Sequence, residues 1–304
     1  MTRHPSFGLL IALCGALVLT PDTLFMRWSG MGALEMVAWR GMLMGFVFIA
    51  AWFVFRRRDW RSDMRGLFSS GGLTVVLCQF AGAILFSFGI AEAPIPIVLF
   101  GVATVPVFSA ILAFLLMGED THASTWLAMV MVMGGIGIAV LGDAPEAVLG
   151  GREALIGAVA GLAVALCVAL NFVSLRRNPA VPILLANGGG ALLAGAISFG
   201  MVGPAAAWHG HLWAVIVTGV LILPVSFFLL SMATRYTATA NVSLVMLVET
   251  VLGPAWVWLG TGQKPTAAMF VGGAVVVGTL ALYIGYSDRR KLREARTAVC
   301  SSGA

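Results

Sequence analysis

Apolar residues run continuously, without period-two alternation, in ten stretches separated by short polar or breaker-rich joints. The stretches cover approximately 6–26, 34–55, 67–91, 95–117, 124–142, 153–175, 182–202, 211–234, 239–260 and 267–286. A helix needs about 20 apolar residues to cross the hydrocarbon core of a bilayer. Continuous runs of this length predict ten membrane-spanning helices rather than the strands of a barrel. The joints carry charges and breakers: Arg56-Arg57-Arg58-Asp59, Ala93-Pro94, Gly118-Glu119-Asp120, Gly142-Asp143-Ala144-Pro145, Arg176-Arg177-Asn178-Pro179, Gly203-Pro204 and Gln263-Lys264-Pro265. The joint at Ala93-Pro94 and the one around Arg235-Tyr236 are very tight.

Composition agrees with this pattern. Of 304 residues, 60% are hydrophobic and 10% charged, against roughly 25% charged in soluble domains. So little polar surface cannot coat a water-soluble globule. The net charge of +5 lies between the apolar runs rather than on one patch, which speaks against a nucleic-acid partner. It follows the positive-inside rule instead. With the N-terminus inside, Arg3, the Arg56–Arg65 cluster, Arg176, Arg177, Arg235 and the tail Arg289-Arg290-Lys291 and Arg293 share one side. Only Arg27, Arg152 and Lys264 fall opposite. The expected topology is N-in and C-in, with residues 287–304 a basic cytoplasmic tail suited to anionic lipid. The stretch after Arg3 lacks a small-x-small cleavage pattern and is expected to stay as the first helix.

Cys14, Cys78, Cys167 and Cys300 form no C-x-x-C, and buried free thiols are expected rather than disulfides or metal ligands. His209-Gly210-His211 lacks the further ligands of a zinc site. No metalloprotease, nucleophile-elbow, P-loop or dinucleotide motif occurs. An enzyme, an ATP-driven pump, a metal and a cofactor are therefore not expected.

Two stretches resemble each other. Residues 84–119 contain a tight joint, a helix interrupted by Pro106 and an end at Gly118-Glu119; residues 228–263 contain a tight joint, a helix interrupted by Pro254 and an end at Gly262-Gln263. A Gly-rich helix follows each, with Gly134-Gly135-Ile136-Gly137 in one and Gly272-Gly273 in the other. The expected domains are 1–150 and 151–286, five helices each. An odd number of crossings inserts the second copy upside down, and inverted repeats place a substrate site near midplane.

A charge in the membrane centre costs at least ~2.5–3.5 kcal/mol on insertion scales, so it needs a partner, a wet cavity or a function. Glu249 stands near the middle of the ninth helix, with Asn241 before it and Trp256 after it on roughly one face. A carboxylate there could carry a proton or lock helix packing. Arg40, in the second helix, could clamp a substrate carboxylate or tie helices together, and neighbouring Trp39 could line the cavity. Pro21-Asp22 predicts a kink or gate in the first helix, with Asp22 solvating the break; Pro106 and Pro254 invite the same reading. Gln79, Asn171 and Asn187 are candidates for substrate binding or for helix-to-helix hydrogen bonds worth ~0.6 kcal/mol on average. Gly41-x-x-x-Gly45 and Gly157-x-x-x-Gly161 predict close helix packing. Glu92 and Glu119 are expected to be wetted helix ends.

Ala38-Trp39-Arg40-Gly41, the helix with Pro106 running into Gly118-Glu119, and Leu247-Val248-Glu249 followed by Gly253-Pro254-Ala255-Trp256-Val257-Trp258, Gly262-Gln263-Lys264-Pro265 and Gly272-Gly273 resemble the drug/metabolite transporter superfamily, in particular its EamA-type members. The resemblance spans nearly the whole chain, with Gln263 where the family pattern usually has Glu. It implies an all-α integral membrane protein of ten helices in two inverted five-helix repeats. It further implies a multi-pass place in the inner membrane and alternating access at a central cavity. The implied activity is transport, often export, of small metabolites such as amino acids.

Overall fold

The ten apolar runs fold as helices because a span in lipid must satisfy its own backbone. The computed structural model describes residues 7–56, 60–93, 95–141, 151–203, 210–262 and 266–302. The sequence features at Arg3, Arg57-Arg58-Asp59, Pro94, Gly142-Asp143-Ala144-Pro145, Pro204, His209 and Gln263-Lys264-Pro265 lie outside these residues, as do the side chains of the basic tail, including Cys300. The spans are α1 (Phe7–Ser29), α2 (Ala33–Phe55), α3 (Ser70–Gly89), α4 (Ile97–Met117), α5 (Ala123–Val140), α6 (Arg152–Arg177), α7 (Ile183–Val202), α8 (Leu212–Ala233), α9 (Thr239–Thr261) and α10 (Ala267–Tyr286). No strand occurs among the described residues.

Side chains on the outside of the bundle are large and apolar. Phe46, Phe55 and Leu282 are 69%, 79% and 77% exposed, far beyond what a soluble surface tolerates as a continuous coat. Cys14, expected inside, belongs to this outer face. It follows two apolar turns that present every side of the helix alike, so hydrophobicity did not mark which side packs. The link after α2 contains a short helix, Trp60–Leu67, whose Asp63 accepts a hydrogen bond from Trp52 Nε1 at 2.8 Å. The last helix runs Ala267–Ser302, continuing well past its apolar part.

Packing partners follow a pattern. Helix α2 lies on α7, α5 on α10, α4 on α9, α3 on α6 and α1 on α8. Exchanging the first five helices with the last five maps α2–α7, α4–α9 and α5–α10 onto themselves and interchanges α3–α6 with α1–α8. The α2–α7 approach is set by glycine: a Cβ on Gly41 would stand 2.7 Å from the Ala191 carbonyl oxygen and 2.8 Å from the Gly195 nitrogen. On the other side of the bundle, a Cβ on Gly101 of α4 would stand 2.8 Å from the Gly161 Cα of α6.

Three spans are broken. In α1 the break is at Thr20-Pro21, between helical segments Phe7–Leu19 and Asp22–Ser29. Proline cannot donate to the Leu17 carbonyl, and the Thr20 hydroxyl takes that carbonyl instead at 2.8 Å. The expectation that Asp22 would solvate the break is thereby corrected. The Asp22 carboxylate can only accept, so it cannot serve that carbonyl, and it turns to a donor on another helix.

In α4 the break precedes Pro106, which starts the segment Val105–Met117 where its missing N–H costs nothing. In α9 the break is at Leu247, bridged by i→i+3 bonds from Leu247 N to Leu244 O at 3.2 Å and Thr250 N to Leu247 O at 3.1 Å. Pro254 lies inside the continuous segment Val248–Thr261, so the interruption expected there stands seven residues earlier. In each half the segment after the break ends at a left-handed glycine, Gly118 with φ 65° and Gly262 with φ 74°. Such an end is open to glycine without steric cost.

Candidate functional site

The break in α1 decides where its acid goes. Asp22 opens the second segment and is 3% exposed. Its Oδ2 accepts a hydrogen bond from Arg40 Nη2 of α2, forming a buried ion pair. Arg40 also lies beside the Met36 sulfur, 3.8 Å away on the preceding turn. Asp22 Oδ1 and Arg40 Nε have no hydrogen-bond partner among the described residues. Opposite them, α8 carries a π-helical turn, Val217–Ile222. Such turns widen a helix locally and recur at functional sites. A Cβ on its Gly219 would stand 2.8 Å from the Leu43 Cβ of α2, so the bare glycine lets α2 lie close.

Glu249 begins the second segment of α9 and is half-buried. Both Asp22 and Arg40 are within its electrostatic reach. Arg40 already holds Asp22, so Glu249 brings a second carboxyl group to a cluster with one cation. Trp256, two turns on, donates from Nε1 to Thr20 Oγ1 at 3.0 Å. That bond clamps the outer part of α9 onto the break in α1. Beyond it, Phe25, Trp28 and Trp213 stack edge to face or tilted with centroids 5.5, 6.0 and 5.7 Å apart.

The ways α4 and α9 pack differ along their lengths. The last segment of α4, Val105–Met117, and the first of α9, Thr239–Met246, lie on each other, and Thr239 Oγ1 donates to the Ser109 carbonyl at 3.5 Å. Past the breaks they take different partners. The segment Ile95–Val102 lies on α6 and α5, whereas Val248–Thr261 lies on Asp22–Ser29 and α10. Glu249 stands where the two helices part.

Comparison with known proteins finds a family likeness in the first five helices. Residues 6–141 match the EamA-like transporter family. A crystal structure of another protein superposes with a TM-score of 0.75 at 18% identity, over 93% of this chain and 98% of that one; at that identity the likeness carries the fold. No curated protein matches the chain. The protein is thus a multi-pass membrane protein with the fold of an EamA-type transporter.

Within this EamA-type bundle the expected site residues fall into separate groups. Asp22, Arg40 and Glu249 come together, with Pro21 and Trp256 at their border. Gln79, Asn171 and Asn187 form a second group, a chain of side-chain hydrogen bonds. Asn171 Nδ2 reaches Gln79 Oε1 at 3.5 Å and Asn187 Oδ1 at 2.9 Å, and Asn187 Nδ2 reaches Ser231 Oγ at 3.1 Å. That chain ties α3, α6, α7 and α8 and engages the amide nitrogens of Asn171 and Asn187. Trp39 packs edge-on against Phe199 of α7 with centroids 6.0 Å apart.

Asn241 is parted from Glu249 by the break at Leu247. Its Oδ1 accepts from Tyr283 OH at 2.7 Å, and Thr125 Oγ1 shares a hydrogen bond with the same phenol at 2.8 Å. Glu92 is exposed, as expected of a helix end. Glu119 is not merely wetted: Arg176 grips it with Nε and Nη2 at 2.8 and 2.6 Å. Arg176 and Tyr283 were missed as site residues. Arg176 read only as a topology charge, and a lone tyrosine in a last helix carries no sequence signal. No trio of His, Cys, Asp or Glu side chains is placed to hold a metal among the described residues.

Proposed function

We propose that this protein is a secondary-type carrier of small metabolites, such as amino acids or related amphipathic compounds, working by alternating access with export as its direction. The observation that supports it is the parting of α4 and α9 at Glu249. One end of the bundle is packed shut, while at the other end the same two helices lie on different neighbours. A bare acid stands at the junction. A charged group so deep in a membrane protein is retained for a pathway or a proton, and Glu249 is the group assigned here to meet the substrate or carry the proton. Arg40 and Asp22 set the field around it, and Trp256 with Thr20 forms the wall toward the far end.

The matched packing of the two sets of five helices supports inverted repeats, residues 1–150 and 151–286. The lopsided basic residues support N-in, C-in insertion in the inner membrane. The breaks at Thr20-Pro21, Ala103-Thr104 and Leu247 are the hinges on which the halves rock.

The test is counterflow. Purified protein in liposomes is preloaded with a metabolite pool, and uptake of labelled amino acids, nucleosides and sugars is followed for wild type, Glu249→Gln and Arg40→Ala. Saturable counterflow that disappears in Glu249→Gln is the expected result. A folded wild-type protein that gives no counterflow across the panel overturns the carrier reading. Flux that leaves Glu249→Gln unimpaired overturns the role of that acid.

A further inference from the structure

A cavity of about 290 Å³ opens at the Phe7 end of the bundle, lined by Glu119, Asp120, Arg176, Tyr236, Asn241 and Tyr283 among others. It is separate from the Glu249 cluster: Asn241 and Glu249 are two turns apart, about 12 Å along α9. We infer that this cavity is a binding site of its own for a small zwitterion of the α-amino acid type, whose carboxylate takes the place of Glu119 on Arg176.

The chemistry of the wall selects that class. Arg176 presents its fork to the cavity and already holds a carboxylate through two nitrogens, so its orientation suits planar, bidentate recognition of that group. Its Nη1 stays engaged with the carbonyls of Thr234 and Thr237 at 2.9 and 2.7 Å, which hold the guanidinium in place whichever carboxylate it grips. Replacing Glu119 by a ligand carboxylate leaves no charge unpaired, and an unpaired charge is the main penalty of breaking such a pair. The released Glu119, with exposed Asp120 beside it, then faces the ligand's ammonium. Tyr236, 39% exposed, supplies ring surface for an apolar substituent. The volume lies at the small end of ligand sites and excludes large cargo.

The exchange has a mechanical consequence. Glu119 follows Gly118 at the end of α4, so freeing it from Arg176 of α6 unties α4 from the rest of the Phe7 end. Ligand binding would thereby open the end that is packed shut. This inference rests on the carrier reading in taking the ligand as cargo at its point of entry.

Three labelled probes test it on the full-length purified protein in detergent: phenylalanine, phenethylamine, which lacks the carboxylate, and hydrocinnamate, which lacks the ammonium. Phenylalanine is expected to bind wild type at least about tenfold more tightly than either analogue, since phenethylamine cannot displace Glu119 from Arg176 and hydrocinnamate frees Glu119 with no ammonium to meet it. In Glu119→Gln the competing carboxylate is gone, so hydrocinnamate binding is expected to tighten about tenfold. In Arg176→Gln binding of phenylalanine and hydrocinnamate is expected to be lost. The gain in Glu119→Gln requires a folded protein, so it stands even where Arg176→Gln does not fold.

Binding that is lost in Glu249→Gln and Trp256→Ala, yet kept in Arg176→Gln and unimproved in Glu119→Gln, places the ligand in the central cluster and overturns the inference. Failure of all three probes to bind overturns it as well. Wild-type counterflow on the same preparation then shows whether the carrier reading survives.

Discussion

Arg176 and Glu119 form a two-pronged ion pair between α6 and the end of α4, at 2.8 and 2.6 Å. The same guanidinium reaches the joint between α8 and α9 through the carbonyls of Thr234 and Thr237. One side chain therefore gathers four helices at the Phe7 end. The Thr125, Tyr283 and Asn241 hydrogen bonds add α5 and α10 to the same closure. At the opposite end the contacts that matter run from α1 to α8 and α9, including His211 N to the Ser29 carbonyl at 2.8 Å. The two ends are held by different helices, as a carrier that opens them in turn requires.

Removing one prong should loosen the closed end. In a background with the native cysteines replaced, Thr239→Cys places a thiol at a fully buried position facing Ser109 of α4. Adding Glu119→Ala is expected to raise its labelling rate by a membrane-impermeant maleimide about tenfold. Loss of a charge-assisted pair of hydrogen bonds lowers the cost of local opening by roughly 1.5–3 kcal/mol. An unchanged rate would mean that Thr239 is sealed by packing alone.

The Gln79, Asn171, Asn187 and Ser231 chain is expected to act on stability rather than on flux. Asn187→Ala removes both the 2.9 Å bond to Asn171 and the 3.1 Å bond to Ser231. Interhelical hydrogen bonds in membranes are individually weak, so the loss should be about 1 kcal/mol. Gln79→Ala loses only the long 3.5 Å contact and should cost less. Denaturant unfolding in mixed micelles measures the order; a larger loss from Gln79 would contradict it.

The architecture was legible because lipid leaves few choices. Continuous apolar runs can only be helices, and the breakers at Gly118, Asn178 and Gly203 mark ends that coincide with the observed ones within a few residues. The site was legible as a set of costly residues, not as a constellation. Glu249, Arg40 and Asp22 stood out because each is expensive in lipid, but nothing in their spacing said that Asp22 would reach Arg40. That pairing follows from the α1 break, where the Thr20 hydroxyl takes the freed carbonyl and the acceptor-only Asp22 turns to Arg40. Asn241 was placed with Glu249 by helical periodicity, and periodicity fails across a break such as Leu247. The grip of Arg176 on Glu119 joins positions 57 residues apart, a long-range pairing invisible to local pattern.

Glycines divide into two kinds that a single substitution separates. Gly41→Ala forces a methyl group to within 2.7 Å of the Ala191 carbonyl oxygen, and neither backbone can yield without parting α2 from α7. A loss of about 1–3 kcal/mol is expected, the usual cost of overpacking. Gly200→Ala meets nothing within 4 Å and sits inside the α7 helix, so it should gain up to about 1 kcal/mol from helix propensity. Thermal unfolding in detergent gives both signs. Equal and small effects would show that the α2–α7 approach is looser than the backbone geometry requires.

Asp22 and Arg40 should reveal themselves by non-additivity. The pair is almost wholly buried, with side-chain exposures of 4% and 15%. Arg40→Leu alone strands the carboxylate of Asp22 beside Glu249, bringing two acids together without a cation. Asp22→Leu alone leaves a guanidinium in the apolar interior, though Glu249 remains near it. Breaking a buried pair from one side typically costs about 3–5 kcal/mol, whereas replacing both members by apolar residues is often close to neutral. The double variant is therefore expected to be more stable than Arg40→Leu, and Arg40→Leu less stable than Asp22→Leu because only the latter leaves a carboxylate for the survivor. Unfolding of all three variants in the same micelles completes the cycle. Strict additivity would mean that the two charges are held independently by water or neighbouring dipoles, and that the α1 break is not fixed by its link to α2.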